Sequence, residues 1–121
     1  MAEYAPIYLS GDQLPRTTSA AVSAGQLLYV SGDDTVAKTS AATGAWIGVA
    51  AHDAASGGQV VVYTEGVHEL AASGAIAAGA RVCAAANGAV ADFASGTDYS
   101  QVVGIALSAA ASSKVRVLFR S

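Results

Sequence analysis

Histidine, carboxylate and thiol side chains are the groups in this chain that could carry acid–base, metal or nucleophilic chemistry, and they are few. The only histidines are His52 and His68, and the only cysteine is Cys83. His52 is followed directly by Asp53, but adjacent residues of a strand point to opposite faces, so the two make no dyad. A zinc site needs three or four ligands, and His52, Asp53, His68 and Glu69 show no ligand spacing. Asp33-Asp34 after Gly32 reads as turn chemistry, because the alternating acids of a calcium loop are absent. Glu65 and Glu69 flank a short turn and would form a glycosidase-type acid pair only beside aromatic platforms that the local sequence lacks. Cys83 lies in Arg81-Val82-Cys83-Ala84, where it reads as a small buried hydrophobe, and a single cysteine makes no disulfide within the chain. No Gly-x-Ser-x-Gly elbow and no phosphate-binding loop occurs. The expectation is therefore a protein that is not an enzyme and holds no metal or other cofactor.

Composition points the same way. The chain has 121 residues, enough for one domain. It is 53% hydrophobic but only 7% aromatic. Charged residues make up 12% of the chain. That is a low share, as suits a surface that packs against other proteins. The net charge is −3, and Arg16, Lys38, Arg81, Lys114, Arg116 and Arg120 form no basic stripe, so no direct nucleic-acid partner is expected. Residues 1–6 lack a basic and apolar leader, and no run of about 20 apolar residues would span a membrane. Synthesis in the cytoplasm and no membrane partner are the corresponding expectations.

The elements that would position any functional group are short strands. Leu27–Val30 and Thr35–Thr39 flank a turn at Ser31–Asp34 that reads as longer than two residues. Ala45–Ala50 holds Trp46, a core or interface anchor by its type, and Gly48, which suggests close approach of a second backbone. Val60–Thr64 and Val67–Leu70 read as a hairpin across Glu65-Gly66. Arg81–Ala85 and Ala89–Phe93 flank Asn87-Gly88, the strongest hairpin signal present. Val102–Leu107 and Val115–Phe119 follow, with a short helix allowed near Thr97–Val102. Gly74 and Gly79 interrupt the alanine tract 71–80 and speak against a helix there. The fold expected is all-β, a small sandwich or barrel of about nine short strands.

Most of these elements occur twice. Ala24-Gly25-Gln26, Ile47-Gly48-Val49-Ala50 and Gln59–Tyr63 are echoed by Ala78-Gly79-Ala80, Val103-Gly104-Ile105-Ala106 and Lys114–Leu118, at a nearly constant offset. This predicts one β-unit used twice, with pseudo-twofold internal repeat halves at about 24–66 and 78–120, inside a single domain at 17–121. Residues 1–16 stand apart as an extended N-terminal arm. They hold both prolines, Pro6 and Pro15, with Tyr4, Ile7, Tyr8 and Leu9.

In order and spacing, Ala24–Leu28, Ile47–Ala50, Gly58–Val67, Ala78–Val82, Val103–Ala106 and Val115–Val117 resemble the tailed-phage capsid decoration proteins, also called head-stabilising or cement proteins. The resemblance implies a non-enzymatic protein on the outer surface of the virion capsid. It implies a homotrimer that bridges subunits of the major capsid protein and stabilises the expanded shell. On that reading Tyr4, Ile7, Tyr8 and Leu9 are expected to bind the capsid protein by adding a strand or filling a groove. The rival for the arm is a neighbouring protomer of the trimer. Two other classes compete with the whole reading: a receptor- or carbohydrate-binding module using Tyr99 and Tyr63, and a small enzyme using His52, His68 or Glu65.

Overall fold

β-Branched runs bounded by glycine dictate the architecture seen in a computed structural model, which describes residues 14–94 and 96–119. The described residues form ten strands and no α-helix. In chain order these are β1 (Leu14–Thr18), β2 (Leu27–Gly32), β3 (Thr35–Lys38), β4 (Trp46–Ala50), β5 (Gln59–Tyr63), β6 (Val67–Ala71), β7 (Arg81–Ala84), β8 (Val90–Asp92), β9 (Val102–Ala106) and β10 (Lys114–Phe119). The all-β expectation holds, with one strand more than anticipated.

The first five strands close into a barrel in the order β1-β3-β2-β4-β5. β1 seals it, antiparallel to β5 over Leu14–Thr17 and parallel to β3 at Thr17 and Thr18. Leu14, Pro15 and Arg16, which the sequence assigns to the arm, are therefore part of the barrel wall. Pro15 sits in this short seam strand at a position whose counterpart on β5 is Val61. The last five strands form a second sheet, β6-β10-β9-β7-β8. Its edge strands meet through one parallel bridge, Ala72 to Val90.

The two sheets are copies of one unit. Hairpin β2–β3 matches β7–β8, β4 matches β9, β5 matches β10, and β1 matches β6. Even the irregularities coincide, because the register slips between Leu28 and Tyr29 in one unit and between Val82 and Cys83 in the other. Gly25 and Gly79 both take positive φ and donate to the Ala50 and Ala106 carbonyls, at 2.9 and 2.7 Å. The bridge Ala72–Val90 is the counterpart of the Thr18–Val36 pairing. The repeat thus reaches back to β1 and β6, with Leu14 and His68 in equivalent registers, earlier than the sequence motifs that reveal it.

Two local expectations change. Val67–Leu70 does not fold back on β5, because β5 already has β1 on one side and β4 on the other. Instead the chain crosses to the second unit at Glu65-Gly66, and β6 pairs with β10. The Asp33-Asp34 turn is a two-residue turn closed by Gly32 opposite Thr35, the extra residue being absorbed by a register shift after Val30. At Asn87-Gly88 both residues have positive φ and the Ala89 N–H donates to the Ala86 carbonyl, as a type I′ turn requires. The segment near Thr97–Val102 contains a single 3₁₀ turn, Tyr99–Gln101, started by Asp98 accepting from the Ser100 N–H.

Each unit has its own buried cluster. Val22, Leu28, Val36, Ala50, Val60 and Val62 fill the first barrel. Leu70, Ile76, Val82, Val90, Val103, Val115 and Val117 form the core of the second sheet. Leu27 and Val49 of the first unit belong to the second cluster. They point outward from their own barrel and are buried by its neighbour.

Candidate functional site

The groups singled out for chemistry are dispersed by the fold. His52 is exposed, and its Nε2 accepts from the Val61 N–H at 3.3 Å. Nδ1 therefore carries the ring proton, which it shares with the Asp53 carbonyl at 2.9 Å. His68 is spent on packing: its ring stacks on Tyr63 and meets the edge of Phe119, while Nε2 contacts the Glu65 carbonyl at 2.9 Å. Glu65 and Glu69 are both exposed, and Asp34 pairs with Arg16 at 3.0 Å. Among the described residues no three His, Cys, Asp or Glu side chains gather to hold a metal ion. Cys83 is half-buried, and burial pushes its thiol above its ordinary pKa; a backbone hydrogen bond partly offsets this and the Asp92 charge adds to it.

What the fold does assemble is a set of contact surfaces. Trp46 lies between the two units, its Nε1–H donating to the Ser100 carbonyl at 3.0 Å and its ring edge-on to Phe119 at 5.9 Å. The indole thus anchors an interface within the chain. Beside it, the β7–β8 turn of the second unit rests on the first. The Gly88 N–H donates to the Thr39 carbonyl at 2.9 Å, and the buried Thr39 Oγ1 donates to the Ala85 carbonyl at 2.7 Å. Gly88 is needed there, since a Cβ would run into the Gln26 side chain at 2.6 Å.

Two shallow cavities of about 440 Å³ flank the second unit. One is lined by Trp46, Ile47, Thr64, Tyr99 and Val102. The other is lined by Ala80, Arg81, Asp92, Phe93, Tyr99 and Ile105. Tyr99, 65% exposed, stands between them and leans on Phe93 at 5.3 Å. Nothing in the sequence pointed to the second cavity, because its lining comes from separate strands and loops that only the fold brings together. The arm residues Tyr4, Ile7, Tyr8 and Leu9 lie outside the described residues.

Fold and surface define a small tandem-β protein that presents sheet faces and turns for contact. A family model described as phage cement protein matches residues 11–121, and the chain belongs to that family. It is a structural protein associated with the phage capsid. Among solved structures, the head fiber gp8.5 N base of bacteriophage phi29 shares the fold, with a TM-score of 0.68 at 24% identity. That alignment covers 90% of this chain and 93% of the other. No curated protein matches the chain.

Proposed function

We propose that this chain is a non-catalytic clamp on the outer surface of a phage shell. It binds as a homotrimer, bridges major capsid protein subunits and stabilises the expanded shell. The observation that carries this reading is the cement-family match over residues 11–121. The low charge content supports it, because a sparsely charged, small-residue surface packs against protein at little desolvation cost. A trimer touching several shell subunits at once also gains by effective concentration, so each contact can be modest. Tyr4, Ile7, Tyr8 and Leu9 are proposed as the capsid-binding arm, with aromatic side chains as its anchors.

Light scattering followed by pelleting with expanded, undecorated shells tests the reading. A trimer that co-sediments at a fixed ratio per shell is expected. Protein that stays in the supernatant with matched shells sinks it. Tyr99, exposed beside Phe93, favours a second reading as a receptor- or carbohydrate-binding module of the virion. Glycan binding without shell binding would decide for that one.

A further inference from the structure

The two units touch through different surfaces, head to tail. The second unit contributes its β7–β8 turn; the first contributes the outer face around Gln26, Leu27 and Thr39. Because the units are copies, each surface has a twin at the far end of the chain that no described residue of the other unit covers. The twin of the Ala85–Gly88 turn is Ser31–Asp34, and its Gly32, Asp33 and Asp34 are exposed. The twins of Gln26, Leu27, Thr39 and Val49 are Ala80, Arg81, Phe93 and Ile105, and these four line one cavity. Among the described residues, therefore, the Asp33-Asp34 turn rests on no other element at one end, and at the other end a seat of matching origin is left open.

Two substitutions between the twins fit one another. The occupied seat has Leu27 under an uncharged turn; the empty one has exposed Arg81, and the free turn carries Asp33 and Asp34. Asp34 pairs with Arg16, whereas Asp33 is exposed and makes no ion pair among the described residues. Asp92, the acidic group already in the cavity, has Oδ1 engaged by the Ala94 N–H at 2.8 Å. Val30 beside the free turn is 47% exposed, whereas its twin Ala84 beside the docked turn is 1% exposed. Val30 is thus the residue that a partner at that end would cover.

We propose that the Asp33-Asp34 turn of a second copy of this chain seats in the cavity at Arg81, repeating between chains the contact that joins the two units within one. Such a heterologous contact closes into a ring when its rotation permits. The inference rests on the proposed trimer and names its interface: first and second units alternate around the ring, with Asp33 against Arg81 at every junction between chains.

The test is a charge exchange read by light scattering, with shell pelleting run in parallel. Arg81→Glu and Asp33→Arg should each raise the dissociation constant of the oligomer by about tenfold or more, because like charges across an interface are penalised. The double variant Arg81→Glu with Asp33→Arg should restore wild-type association. Both positions are exposed, so an unchanged circular dichroism spectrum and melting temperature separate lost assembly from lost folding. Unaltered association of both single variants would overturn the interface and leave shell binding untouched. A wild-type chain that never associates overturns it too, and pelleting then judges the proposed function alone. An Arg81→Glu variant that keeps its mass but no longer pellets would assign the cavity to the shell protein instead.

Discussion

A methyl group added at Gly48 would overlap the Tyr63 carbonyl and press on Val62, whereas at Gly25 it would meet nothing within 4 Å. Gly104 repeats the Gly48 situation against the Leu118 carbonyl. The two glycine classes thus recur in both units for different physical reasons. At Gly25, whose φ is positive, alanine carries only the left-handed backbone strain. That substitution should cost about 1–2 kcal/mol. Gly48→Ala and Gly104→Ala force strands apart and should each cost at least as much as overpacking a core, about 1–3 kcal/mol or more. Urea denaturation should rank them in that order. Cys83 gives a second prediction at this scale. Its raised pKa means the folded state holds the thiol proton more tightly than the unfolded chain. The associated stability is present below the unfolded-state thiol pKa and is lost as pH rises from there through the raised folded value. Compared with Cys83→Ala, the wild type should lose stability across that interval, and its native-state alkylation should rise at higher pH than in the unfolded chain.

Among the elements, β1 decides whether the first barrel closes, since it alone joins β3 to β5. Deleting residues 1–12 leaves every described strand in place and should keep one cooperative unfolding transition; on the proposed role of the arm it should abolish shell binding while the trimer persists. Extending the deletion through Thr18 opens the barrel over Val60 and Val62, and circular dichroism should report loss of cooperative folding. Strand positions were legible in the sequence because β-branched runs are bounded by glycines and turns. Strand partners were not. The alternation in Val67–Leu70 is satisfied against β10 as well as it would be against β5, and only the occupied edges of β5 decide between them. β1 was hidden for another reason: Pro15 and Arg16 read as arm, though a proline is tolerated at a strand edge, and β1 meets β3 only at Thr17 and Thr18. Of the contact surfaces, the sequence marked Trp46 as a core or interface anchor by its type, and the fold sets it against Ser100 and Phe119 within the chain. The cavity at Arg81 was not, because the sequence repeat aligns Leu27 with Arg81 without saying which of the two is covered.

At the scale of the whole molecule, the units are welded by Leu27 and Val49 lying in the second unit's core and by Trp46 against Phe119. A barrel and a sheet joined in this way should unfold together, with matching calorimetric and van't Hoff enthalpies. Leu27 is fully buried although it faces away from its own barrel. Leu27→Ala should therefore cost about 2–5 kcal/mol, the range for a buried leucine. If the melt then splits into two steps, Leu27 is the residue that couples them.

Synthesis runs from the N-terminus, and this gives the weld a timetable. The first barrel has all its strands once residue 63 is made, yet Leu27 and Val49 lack their packing partners until the second unit follows, and Trp46 lacks Phe119 until β10 exists. At about 5–20 residues per second on the ribosome, that greasy face stays bare for several seconds. The nascent chain would carry its greatest risk of clumping during that interval. Slowed translation through residues 64–119 should therefore lower the soluble yield more than the same delay placed before residue 14.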